Sequence, residues 1–131
     1  MQFHEFIGKV QARAKLPSEA SALKITRATL ETLGERLLDE HAHQLASQLP
    51  SELGHHLEDR GQASFGFDEF ITRVSLKENS EPPAATYHAR VVLETLRDAV
   101  TPQNFEKLRG RLPKELQPLL AGSGGKISKS A

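Results

Sequence analysis

Phe3-His4-Glu5-Phe6-Ile7-Gly8-Lys9-Val10 returns 64 residues later as Phe67-Asp68-Glu69-Phe70-Ile71-Thr72-Arg73-Val74. In both copies the apolar residues fall at i, i+3, i+4 and i+7, the spacing of one face of a helix. Two further segments return at a shift of 63. Leu30-Glu31-Thr32-Leu33 reappears as Leu93-Glu94-Thr95-Leu96, and Leu49-Pro50-Ser51-Glu52-Leu53 as Leu112-Pro113-Lys114-Glu115-Leu116. One residue fewer in the loop between Val74 and Arg90 than between Val10 and Arg27 explains the change of shift. A period of this size marks one supersecondary unit built twice. The predicted fold is therefore all-α: two tandem four-helix repeats packed as a pseudo-twofold helical bundle. The first repeat is read over residues 1–60, a connector over 61–66, the second repeat over 67–120, and a Gly/Ser-rich tail, expected to be flexible, over 121–131.

Punctuation along the chain fills in the unit. Leu16-Pro17 breaks the first helix and Ser18 is a good N-cap for a second, expected from about Glu19 to Leu38. Ala22, Ile25, Thr29, Leu33 and Leu37 form its stripe, widened by Leu23, Ala28 and Leu30, which suits a central helix with neighbours on more than one side. Gly34 lies inside that helix, where it is unfavourable unless close packing or a bend needs it. Asp39 is read as the cap of a third helix, Glu40 to Gln48, and Pro50 as a first-turn residue of a fourth. In the second copy Glu81-Pro82-Pro83 is expected to stop the chain before a helix from about Ala84 to Val100. Thr101-Pro102 then starts the third helix and Pro113 the fourth.

Composition narrows the function classes. The chain has 131 residues, with 17 Lys+Arg against 17 Asp+Glu, so its formal net charge is zero. A protein that grips nucleic acid through phosphates needs a basic excess, at least locally. There is no Cys, which rules out disulfides, thiol catalysis and Cys-ligated zinc or iron–sulfur centres in this chain. Met1-Gln2-Phe3-His4-Glu5-Phe6 lacks a basic region followed by an apolar run, so no secretory signal is expected. No stretch approaches the ~18 apolar residues of a membrane span. The expected setting is cytoplasmic.

The order Phe-Ile-x-x-Val, then Arg27-Ala28-Thr29-Leu30-Glu31-Thr32-Leu33-Gly34-Glu35-Arg36-Leu37, then Gln48-Leu49-Pro50-Ser51-Glu52-Leu53, followed by its second copy, resembles the bacterial family called domain of unknown function 2267. The resemblance covers roughly residues 3–120. It implies an all-helical fold of two related halves in a bacterial protein, and it carries no activity, cofactor or catalytic residue.

Three polar groupings are the candidate chemistry. Glu52, His55 and His56 share a short helix, and a carboxylate and imidazole one turn apart can share a metal. His41 and His43 are two apart and point to different sides, and none of His41, His43, His55 and His56 recurs in the second copy. The plainer reading is solvent-facing histidines with no metal. Arg27 and Glu31 recur as Arg90 and Glu94. Four apart on a helix, each pair reads as a modest salt bridge, or as a cross-link of the halves or of a partner if it flanks the twofold axis. Lys107, Arg109, Arg111 and Lys114 form a basic cluster whose counterpart in the first copy is neutral. Basic residues near a helix C-terminus complement its dipole, and they also offer an anion contact. No Gly-x-x-x-x-Gly-Lys-Ser/Thr, Gly-x-Gly-x-x-Gly or His-Glu-x-x-His occurs.

The expected function is a non-catalytic helical protein-interaction module with no cofactor, binding a protein partner or itself, with Leu-rich stripes leaving apolar surface for a partner helix. The alternative is a small enzyme or metal-binding protein using histidines or Arg/Glu pairs in a cleft between the repeats. A third reading is weak nucleic-acid or anion binding through the Lys107–Lys114 cluster. Features that do not repeat, and the seam between the halves, are where a specific function is expected to sit.

Overall fold

The computed structural model describes residues 1–120, so the expected tail at 121–131 lies outside the described residues. Every regular element in them is helical: α1 Phe3–Ala14, α2 Glu19–Arg36, α3 Asp39–Ala46, α4 Ser51–Gly54, α5 Phe67–Glu78, α6 Pro82–Ala99, α7 Pro102–Arg111, a 3-10 turn Lys114–Leu116 and α8 Gln117–Leu120. The fold is all-α. None of these helices is long and apolar enough to cross a membrane.

Helix boundaries follow local chemistry. Ser18 accepts from the Ser21 backbone N–H at 3.1 Å while the Ser21 hydroxyl takes the Ser18 N–H at 3.3 Å, so two orphan donors at the start of α2 are met reciprocally. Thr101 caps α7 by accepting from Asn104 N at 3.3 Å, with Pro102 in the first turn. Other boundaries shift by a few positions from the sequence expectation. The cap of α3 is Leu38 and Asp39 falls in its first turn, where its charge faces the positive end of the helix dipole. Pro50 and Pro113 are themselves caps, each in extended backbone, rather than first-turn residues. Pro82 and Pro83 lie inside the first turn of α6, capped by Glu81, instead of stopping the chain before it. α2 ends at Arg36, and the Leu37 backbone turns extended there.

The first and second helices of both halves interleave. α1 packs on α2 and on α6, α5 packs on α6 and on α2, and α2 also meets α6 directly. The apolar stripes therefore merge into one contiguous buried cluster. It contains Phe6, Ile7 and Val10 from α1, Leu30 and Leu33 from α2, Phe70, Ile71 and Val74 from α5, and Leu93 and Leu96 from α6. Leu38 and Leu76 are the exposed large hydrophobics among the described residues. Most of the Leu-rich stripe residues go into this core, with Leu16 and Leu23 partly buried against it.

Gly34 has a packing reason. A Cβ there would collide with the Leu57 carbonyl oxygen, so the turn after α4 rests directly on α2. The connector is fastened to the same helix end: Ala63 N donates to Glu35 O at 2.9 Å and Arg36 Nε to Phe65 O at 2.9 Å. The Arg73 guanidinium stacks over the Phe65 ring, 4.0 Å from its centroid.

Candidate binding cleft and polar network

α3 and α7 face each other across a narrow cleft. Its walls are built from positions 63 residues apart: His41 with Asn104, Gln44 with Lys107, Leu45 with Leu108, and Gln48 with Arg111, with Leu37 completing the α2 end. Leu45 and Leu108 are buried and form the floor. His41 and Gln44 are three apart on α3, with Gln48 in the turn just after it, and Asn104, Lys107 and Arg111 are three and four apart on α7, so each helix presents one polar face. The two walls differ in charge. The α7 wall carries Lys107 and Arg111, while the α3 wall offers the Gln44 and Gln48 amides and the His41 imidazole. Among the described residues no carboxylate lines the cleft. Gln48 donates through Nε2 to Gln44 O at 3.1 Å, and its Oε1 is buried without a hydrogen-bond partner.

The basic cluster read from the sequence therefore divides. Lys107 and Arg111 enter the cleft. Arg109 turns the other way, 3.4 Å from both Glu106 Oε2 and Gln117 Oε1. Lys114 is exposed on the 3-10 turn.

His43 and His55 line one open hollow with Glu58, while His4, His41 and His88 lie elsewhere. His4 lies 3.8 Å from Glu19, His41 is 3.9 Å from Glu40, and His43 is 2.6 Å from Glu58. His55 stacks on His56 with ring centroids 4.0 Å apart. His56 is not solvent-facing as expected: it turns back to α2 and meets Glu31 Oε2 at 3.1 Å. Burial, and next the charge of His55, push the His56 imidazole below its ordinary value, against the pull of Glu31. Among the described residues no three His, Asp or Glu side chains come together as a metal-capable group, and Glu52, His55 and His56 do not form one.

Both glutamates of the Arg/Glu pairs are approached from other elements. Glu31 is engaged by His56 and by Arg60, at 3.5 Å, because the turn after α4 brings both onto α2. Arg27 is exposed. Glu94 is buried, and the Arg13 Nε approaches it at 3.7 Å from α1, in the other half of the sequence. Arg90, its partner by spacing, is half-buried on α6.

Two features escaped the sequence reading. The first is a set of braces between the halves. Arg13 donates to Thr95 Oγ1 at 3.0 Å and pairs with Asp98 at 2.6 Å, while Lys77 donates to Thr32 Oγ1 at 3.0 Å and pairs with Glu35 at 3.0 Å. Arg73 adds a second contact to Glu35 at 3.1 Å. The signal was present: Arg13 and Lys77 are 64 apart, and Thr32/Thr95 and Glu35/Asp98 are 63 apart. The second feature is a buried acid. Glu78 Oε2 accepts from the Ser80 hydroxyl at 2.6 Å and faces His88 Nδ1, and Oε1 has no partner. The first-half counterparts of Glu78 and His88 are apolar, Ala14 and Ile25.

A family model described as "Uncharacterized conserved protein (DUF2267)" matches residues 3–119. No curated protein matches the chain. With nearly every described residue inside that match, from the first residue of α1 to the penultimate residue of α8, the chain belongs to the DUF2267 family of uncharacterized conserved proteins.

Proposed function

We propose that this chain is a non-catalytic helical protein-interaction module of the cytoplasm, built as two tandem four-helix repeats about a pseudo-twofold axis, which receives its partner in the cleft between α3 and α7. The repeats run over residues 1–60 and 67–120, joined by 61–66. Support for the duplicated architecture comes from element lengths, with 12 and 18 residues in α1 and α2 and again in α5 and α6. The reciprocal braces, Arg13 to Thr95 and Lys77 to Thr32, support it further.

The observation that carries the binding reading is the make-up of the cleft. Its walls come from equivalent positions of the two copies, yet one wall is cationic and the other neutral. A seam contributed by both halves and chemically different on its two sides is where a duplicated scaffold has a surface that neither copy has alone. Cations, amides and a single imidazole line the cleft with no carboxylate among the described lining residues, a make-up that suits recognition rather than turnover. With Leu38 and Leu76 the exposed large hydrophobics among the described residues, recognition rests on polar contacts.

The reading is tested with a photo-crosslinking residue placed at Gln44 in the cleft, and at the exposed Ala12 of α1 as a control, in the native cell. A discrete adduct is expected from position 44 alone, and it disappears when Lys107 and Arg111 are both changed to Glu. Equal adducts from both positions, or none from position 44, would overturn the reading.

A further inference from the structure

The geometry points to a carboxylate as the group received by the α3–α7 cleft, presented by an acidic segment of a polypeptide partner. This rests on the reading of the cleft as the binding site. Lys107 and Arg111 are one helical turn apart on the same wall, and among the described residues nothing anionic lines the cleft to neutralise them. Arg111 is half-buried, and a planar guanidinium there suits a planar carboxylate through paired N–H···O bonds. The cavity itself is small, about 20 Å³, so only the tip of one side chain enters while the rest of the segment lies across the mouth.

The opposite wall separates this occupant from other anions. Gln48 Oε1 is a buried acceptor that nothing donates to. Leaving such an atom unmet is costly, and a ligand that supplies a donor recovers that cost. The backbone of an extended peptide carries an N–H beside each acidic side chain. A phosphodiester linkage presents acceptors only, so it satisfies Lys107 and Arg111 and leaves Gln48 Oε1 as it was. The cleft thus has a polarity: the carboxylate goes to the α7 wall and a peptide N–H to the α3 wall.

The test is an NMR titration of the full isotope-labelled chain with a deca-glutamate peptide, a deca-glutamine peptide, inorganic phosphate and a ten-nucleotide oligouridylate. Deca-glutamate is expected to shift the Gln48 side-chain amide and the Lys107 and Arg111 signals, with deca-glutamine leaving them unmoved. Arg111→Gln should weaken that binding by roughly tenfold or more, as expected for loss of a hydrogen bond to a charged group. Gln48→Leu, which leaves the net charge unchanged, should also weaken it, whereas a purely electrostatic site would not respond. Displacement of the peptide by phosphate or oligouridylate at equal concentration would overturn the inference. So would shifts scattered over the surface, no shift at all, or a Gln48→Leu variant that binds as the parent does. If deca-glutamate fails while the residue-44 crosslink still captures a discrete partner, the acidic-ligand inference falls alone. Failure of both removes the interaction reading with it.

Discussion

The Arg13 guanidinium lies 2.6 Å from the Asp98 carboxylate across the α1–α6 contact, joining residues 85 apart in sequence. Both side chains are about one-third exposed, so the pair alone is worth only about 0.5–1 kcal/mol. Arg13 also donates to the fully buried Thr95 and approaches the buried Glu94. Arg13→Ala should therefore cost more than Asp98→Ala, on the order of 2 kcal/mol, with most of the difference from these buried contacts. A double-mutant cycle in urea gives the Arg13–Asp98 coupling. A coupling near zero would mean that the ion pair does not brace the halves.

Two glycines in helix interiors should respond with opposite signs. At Gly8 an added Cβ meets nothing within 4 Å, so Gly8→Ala should stabilise by up to about 1 kcal/mol through helix propensity. At Gly34 the same methyl group strikes the Leu57 carbonyl, and the clash outweighs that gain. Gly34→Ala should destabilise by roughly 2–3 kcal/mol, with the turn carrying His55 and His56 displaced. Equal midpoints for the two variants in chemical denaturation would contradict the close approach of that turn.

Acid should weaken the fold through His56. Its folded-state value lies below the ordinary 6.5, because burial and then His55 disfavour the imidazolium. The unfolded chain therefore binds more protons there as pH falls below about 6.5. The contribution is fully present above that pH and is lost progressively as acidification proceeds towards the folded-state value. The groups facing His56 are His55, Glu31 and Arg27, with Arg60 also on Glu31. Replacing His56 with Gln should flatten the dependence of melting temperature on pH between 7.5 and 5. An unchanged slope would assign the acid sensitivity to other groups.

Glu78 and His88 should behave as a coupled unit. His88→Ile alone removes a partner from a buried carboxylate and should cost about 3 kcal/mol. Adding Glu78→Ala restores the apolar pair found at Ala14 and Ile25, and much of the loss should be recovered. Thermal melts of the two single variants and the double variant read the coupling directly. Additive losses would show that the two side chains act independently.

Local signals carried the sequence reading furthest. The apolar positions of α1 and α5, the Ser18 and Thr101 caps and the wide stripe of α2 could all be read from neighbouring residues. Proline positions were less well placed, because a proline fits both the extended cap and the first turn that follows it. Side-chain pairing across the bundle was largely hidden. Glu31 has a well-spaced arginine on its own helix, yet the turn after α4 delivers His56 and Arg60 to it. The split of the basic cluster was hidden for a related reason. Lys107 and Arg111 are four apart and share one face of α7, while Arg109 falls on another, but only the packing of α3 tells which face is a cleft.

The interleaving of α1, α2, α5 and α6 has a consequence for how the molecule comes apart. Separating residues 1–60 from residues 67–120 would strip α1 from α6 and α5 from α2 at once. No plane of weak contact divides these four helices, so neither portion has a route to melt first and leave the other standing. Their loss of structure should be a single all-or-none event, with calorimetric and van't Hoff enthalpies in agreement. Damage to either end of the sequence is then felt by the other, and a truncated product of synthesis or proteolysis has no surviving half to retain.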